Sequence, residues 1–215
     1  MAADLTVRSF ALPDEPQQRA MERLESLGVR RTWVTETFTM AASNAVPDPV
    51  LVSIKAVDPA VYPFYGVIKL DPDRPLVEAV QSDTIVASND LLLRLRLSRG
   101  DTVRLGGQDF RLAAVVTVEP DRMSGTLNVG PRVMMSRAGL ERTGLIRFGS
   151  RAAQRYLFHL PPKGATVERT RATLKRAFPE AQVVDFRETH PTITRGLDRA
   201  TTFLTLVSLI ALIVG

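Results

Sequence analysis

Alternation of apolar and polar positions marks both ends of this chain, and an apolar run without a polar face closes it. Leu5 to Phe10 alternates as a strand does, with Leu5 and Val7 set against Thr6 and Arg8. A helical pattern follows, in which Asp14 can cap the N-terminus with Gln17 three residues on and Pro16 fits the first turn. Ala20, Met21, Leu24 and Leu27 fall on one stripe, and Gly28 supplies a left-handed stop. Thr32 to Met40 reads as a threonine-rich strand with Val34, Phe38 and Met40 on one side. Val50 to Val57 reads as another, with Val50, Val52, Ile54 and Ala56 inward.

A related unit returns late in the chain. Arg155 to Leu160 alternates with Tyr156, Phe158 and Leu160 on one face, and Thr166 can cap a helix carrying Val167, Leu174, Ala177 and Phe178. Gln182 to Phe186 then reads as a strand. Two strand-helix-strand units at opposite ends predict a split α+β subdomain that closes only when the chain comes back. Between them, residues 63–149 are rich in Pro and Gly turns, with Asp71-Pro72-Asp73 and Glu119-Pro120-Asp121 as breakers. Within that stretch Ser88 or Asn89 can cap a short leucine helix, Gly100 ends it, and Gly106-Gly107 joins two strand-like runs as a hairpin. The middle therefore reads as an inserted β-rich subdomain.

From Thr194 onward only Gly196 and Gly215 interrupt a helical reading, and polarity falls from Arg195, Asp198 and Arg199 to an uncharged run over 200–215. Sixteen helical residues reach roughly 24 Å, short of the ~30 Å hydrocarbon layer of a bilayer. Polar at its start and apolar on all sides later, the segment reads as a helix leaving water for lipid, the alternative being a soluble non-catalytic interaction or structural module whose C-terminal helix packs in its own core.

Composition narrows the function classes. At 24% charged and 45% hydrophobic, most of the chain is globular. It has no cysteine, which excludes disulfides and thiolate metal sites. The net charge is +5, and only four of the 28 basic residues are lysine, leaving 24 arginines. These are scattered among carboxylates with no basic block and no interleaved aromatics, so nucleic acid is not an expected partner.

No catalytic, cofactor-binding or metal-ligating residues are predicted. His159 and His190 are the only histidines and lie too far apart for a metal motif. His159 falls opposite Tyr156 and Phe158, as an exposed or satisfied strand histidine would, and His190 precedes Pro191 at a linker. There is no nucleophile elbow, no Walker-type phosphate loop and no dinucleotide fingerprint. Gly100, Gly106 and Gly107 flank strand-like runs where turns are needed.

The segment ASNDLLLRLRLSRGDTVRLGGQDFRLAAVV resembles the periplasmic core domain of MacB-like and FtsX-like ABC transporter permeases. NVGPRVMMSRAGLERTGLIRFGSRAAQRYLFHLP and the closing RATTFLTLVSLIALIVG resemble the subgroup associated with lysophospholipase or thioesterase partners. The resemblance implies a porter-like α+β subdomain from 1–62 and 150–189, an inserted β-rich, sabre-like subdomain over 63–149, and a stalk with the start of a transmembrane helix over 190–215. It implies a first transmembrane helix before Asp4, further helices after Gly215, and an extracytoplasmic position at the bacterial inner membrane. The implied partners are a cytoplasmic ABC ATPase, a second permease copy and a periplasmic lysophospholipase or thioesterase-like hydrolase, the cargo being hydrophobic or lipid. Such a permease is not itself an enzyme, and no cofactor is implied.

Overall fold

The computed structural model describes residues 2–120, 129–147, 150 and 152–185. The stalk and apolar run over 190–215, with His190, lie outside the described residues, as does Phe186.

The two terminal units interleave. The first contributes β1 (Leu5–Ser9), α1 (Glu15–Ser26) and β2 (Arg30–Ala42). Its helix starts on a capping box, with the Gln17 amide donating to Asp14 Oδ1 at 2.8 Å and the Asp14 amide to Gln17 Oε1 at 3.1 Å. It stops where Gly28 turns to φ +87. Met21 and Leu24 are buried, whereas Leu27, expected on the same stripe, is 64% exposed. Leu27 is the C-cap, where the backbone has left the helical path.

Two further elements, β3 (Val50–Val57) and the short β4 (Lys69–Asp71), lead into the middle of the chain. There lie α2 (Leu76–Ala79), β5 (Thr84–Ala87), α3 (Asn89–Leu95), β6 (Thr102–Leu105), β7 (Gln108–Val118), β8 (Arg132–Ser136) and α4 (Arg137–Thr143). The second terminal unit is β9 (Ala153–His159), α5 (Val167–Ala177) and β10 (Gln182–Asp185), with Thr166 Oγ1 accepting from the Arg169 amide.

β9 inserts between β1 and β2, and β10 pairs with the outer side of β1, giving the order β10-β1-β9-β2 with every neighbour antiparallel. This is the split β-α-β arrangement, assembled from both ends of the sequence. The sheet does not stop there. It continues through β3, β8, β5, β7 and β4, and β6, paired with both β2 and β7, completes ten strands, the β3–β8 and β5–β7 pairs being parallel.

Side-chain parity divides the core between the two sheet faces. One face carries α1, α3, α4 and α5, whereas α2 packs on the other. Leu5, Val7, Tyr156 and Phe158 meet Met21, Leu24 and Leu174 at one end, while Val52, Ile54, Met135 and Leu112 meet Leu91, Leu95 and Leu140 at the other. The opposite face buries Ala2, Ala3, Val34, Val57, Met134 and Leu157 against Tyr62, Leu70 and Val80.

Met40 shares its side of β2 with Val34 and Phe38, yet it is 47% exposed and its cross-strand partner Leu51 43% exposed, so that face is open beyond Phe38. One expectation is corrected here. The leucine helix ends at Arg96, which adopts φ +51, instead of at Gly100; Gly100 turns the chain just before β6. The hairpin follows its sequence signal, with Gly106 and Gly107 at φ +56 and +79, the double positive φ of a two-residue turn.

The second face also holds charges the sequence pattern does not display. Arg155 Nη1 lies 3.1 Å from Glu36 Oε1, and Glu119 Oε1 lies 2.7 Å from Lys55 Nζ and 2.9 Å from Arg132 Nη1. Lys55 also donates to the Tyr62 hydroxyl. Glu36 and Lys55 are cross-strand partners, so the buried charges form a row across β9, β2, β3 and β8 to the end of β7. Opposed charges at this depth are tolerated because each finds a partner.

Candidate functional site

The described strands at the two ends of the chain finish side by side. Leu5 opens β1 directly opposite Asp185, which closes β10, and at the same end of the sheet Arg30 opens β2 opposite His159, which closes β9. This end is the candidate site.

Asp4 organises it. Its Oδ1 accepts from the Tyr65 hydroxyl at 2.8 Å and its Oδ2 from the Leu160 amide at 2.8 Å, while its own amide donates to Phe158 O at 3.0 Å. His159 Nδ1 lies 3.2 Å from Asp4 Oδ2 and 2.8 Å from the Tyr65 oxygen. Because the phenol gives its proton to Asp4, the fitting tautomer carries a proton on Nδ1 and donates into this pair. The imidazole stacks on Phe64 with centroids 5.4 Å apart, and Arg30 places its guanidinium 5.3 Å from the Phe64 centroid on β2. The Phe64 amide donates to Ala2 O at 3.1 Å, so the segment ahead of β1 is held from two sides.

The electrostatics fit a structural clamp. Burial of the hydroxyl end, then the hydrogen bond to Asp4 and the charge of that carboxylate, push Tyr65 up to about 12 from 10.0. Its phenol therefore stays protonated at neutral pH and keeps donating to Asp4. Asp4 is thus joined to β9 and the residue after it by its backbone amide, its carboxylate and the His159 imidazole at once.

His159 is thus a satisfied strand histidine, as its alternation implied. Its partners Asp4, Phe64 and Tyr65 carry no motif, since the fold and not local spacing brings them together. Among the described residues no cluster of three or more His, Asp or Glu side chains could hold a metal ion. No described helix is long and apolar enough to cross a membrane. The turn glycines 100, 106 and 107 all take positive φ beside strands.

No family model matches the sequence. Over 220 aligned residues, taking in all of this chain, it is 29% identical to the uncharacterized ABC transporter permease YbbP of Escherichia coli (strain K12), and it spans 26% of that relative's length. Against solved structures, the periplasmic region of MacB from Actinobacillus actinomycetemcomitans superposes with a TM-score of 0.58 over 92% of this chain and 94% of that one, at 14% identity. The fold is that of a MacB-like periplasmic domain. The extracellular domain of the noncanonic ABC-type transporter YknZ from Gram-positive bacteria gives 0.51, covering 84% of this chain and all of that one at 12% identity. A domain of a permease protein from Porphyromonas gingivalis gives 0.53 over 91% and 96% of the two chains at 13% identity. In this MacB-like domain the interleaved strands place the Asp4 clamp and Asp185 at a shared end.

Proposed function

We propose that this chain is the extracytoplasmic domain of an ABC transporter permease subunit, hung from the bacterial inner membrane by the end at which Leu5 faces Asp185. That pairing carries the reading, because adjacent antiparallel strands deliver both described ends of the chain to one base. A transmembrane helix leads into Asp4, residues 192–203 form the stalk, and the apolar run that follows starts the next helix. Support comes from the whole-chain likeness to an ABC transporter permease and the shared fold of the MacB and YknZ domains.

In this reading the domain is a moving part and not an enzyme. A cytoplasmic ATPase subunit supplies the work, a permease homodimer carries it across the membrane, and the cargo is hydrophobic or lipid, with a periplasmic lysophospholipase or thioesterase-like hydrolase as a further partner. Residues 1–62 and 150–189 act as the porter-like body and 63–149 as the inserted subdomain. The core beneath α1 and α5 draws its buried members only from the two terminal stretches, which suits that division.

The test uses the full-length transporter with its ATPase in a membrane. Spin labels at Phe10→Cys, an exposed position in a chain that lacks cysteine, report the separation of two copies. ATP should change that separation, and inserting proline beside Leu197 should abolish the change while the domain stays folded, since proline breaks the helix that transmits it. An ATP response that survives the proline contradicts coupling through the stalk; no response in the parent contradicts the permease reading.

A further inference from the structure

A cleft of about 500 Å³ opens beside β4, the strand that ends the sheet order. Its walls come from the two stretches that flank β4, with Pro63, Val67 and Ile68 before the strand and Pro75 and Leu76 after it. Ile68 and Leu76 are half-buried and root these walls in the core of the second face. Gly66, at φ +82, lies so close to Pro120 that an added Cβ would come within 2.6 Å of the proline Cβ, so the first wall is held in place.

The apolar side chains here are uncovered. Val67 is 67% exposed, and its neighbours at the rim, Tyr65 and Val77, are 41% and 44% exposed. Apolar groups left open together around a concavity mark a place where an apolar ligand or partner sits.

The only charged residues in the lining are Asp73 and Arg74, consecutive and exposed. Neither side chain has a hydrogen-bond or ion-pair partner among the described residues, whereas exposed charges elsewhere on the domain do pair, as Arg94 does with Asp90 and Arg104 with Asp109. The cleft therefore offers one charge of each sign and no net charge. A purely apolar ligand leaves both unanswered. An anion would suit Arg74 and face Asp73, and a cation would do the reverse; a zwitterion answers both.

Position narrows the ligand further. The first wall runs through Phe64 and Tyr65, whose hydrogen bonds to Ala2 and Asp4 make them part of the base. In the permease reading that base faces the bilayer, so the apolar molecule that meets the cleft is a lipid. One groove between two walls holds one aliphatic chain.

We propose that this cleft takes a single-chain lipid with a zwitterionic headgroup, its chain along Val67, Ile68 and Leu76, its phosphate at Arg74 and its ammonium group at Asp73. The inference rests on the permease reading, which it deepens by naming the class of lipid and the place that holds it.

Val77→Cys, in a chain without cysteine, carries an environment-sensitive fluorophore at the rim. The whole chain is titrated, below each micelle concentration, with dodecylphosphocholine and with dodecyl maltoside, which has the same aliphatic chain and an uncharged headgroup. Dodecylphosphocholine should give a saturable blue shift at several-fold lower concentration than the maltoside, as two charged contacts at an exposed site allow. Val67→Asp should weaken its binding about tenfold or more, by removing an apolar contact and setting a charge against the chain. Arg74→Gln and Asp73→Asn should each reduce the preference for phosphocholine and leave maltoside binding unchanged. All three positions are exposed, so the variants should melt with the parent. No saturable shift, equal affinity for the two amphiphiles, or phosphocholine binding that survives Val67→Asp overturns the proposal. No membrane and no ATPase enter this titration, so its failure strikes the cleft alone; a base found away from the bilayer in the full-length protein strikes the permease reading and leaves the binding result standing.

Discussion

The Glu119 carboxylate sits 2.7 Å from Lys55 and 2.9 Å from Arg132 with 3% of its side chain exposed. Glu119→Gln would remove the buried negative charge that faces both cations, and breaking a buried pair in this way costs about 3–5 kcal/mol, which urea unfolding should read. Lys55→Met should cost less, since Arg132 still answers the carboxylate. Tyr65 gives a pH signature with a definite sign. Its pKa is about 12 in the folded protein against 10.0 in the unfolded chain, so the unfolded state loses the proton first. The stability it contributes is complete below pH 10 and declines as pH rises towards 12. The stability difference between the parent and Tyr65→Phe should therefore shrink across that window, and a difference that stays constant would contradict the Asp4–Tyr65 bond. Alternation along β9 is enough to place His159 as a satisfied strand residue. It cannot disclose Tyr65, which lies 94 residues away, nor join Lys55 to Glu119 across 64.

Elements with local punctuation follow their sequence closely. Asp14, Gln17 and Gly28 bound α1 as their types dictate, and Asp14→Ala should cost about 1 kcal/mol in thermal or urea unfolding. The Gly106-Gly107 turn permits a sharper comparison. An added Cβ at Gly106 would meet Thr143 Cβ at 2.8 Å and Thr143 O at 3.0 Å, whereas at Gly107 nothing lies within 4 Å. Both alanine variants carry the positive-φ penalty, about 1–3 kcal/mol. Only Gly106→Ala adds a clash against α4, so it should melt at the lower temperature; equal melting would mean that α4 yields freely. Less legible were β5 and β8, because every residue of Thr84–Ala87 and Arg132–Ser136 is buried and no alternation survives. The end of α3 was misplaced because Arg96 takes the left-handed position that glycine usually fills. Met40 and Leu51 form an exposed apolar pair, and periodicity alone cannot tell a covered face from an open one.

At the scale of the molecule, two strand-helix-strand patterns at opposite ends point to a split unit closed by the returning chain, while the order β10-β1-β9-β2 is set by strand pairing that the pattern does not display. What the pattern could not convey is that strands from residues 63–149 continue the same sheet, β8 pairing with β3 and the two stretches tied across by buried charges. The body that results is long. β2 alone has 13 residues, and Arg30 and Met40 on it lie about 33 Å apart at the usual strand rise. Arg30 belongs to the base beside Asp4 and His159, and Met40 to the far end. The central claim, that the domain hangs from the membrane by this base, is tested by depth. Arg30→Cys and Met40→Cys, each in a background where any cysteine outside these 215 residues is replaced, are labelled with an environment-sensitive fluorophore in the full-length protein in liposomes containing lipid-borne quenchers. The label at position 30 should be strongly quenched and the label at 40 hardly at all; equal quenching, or stronger quenching at 40, would contradict the account.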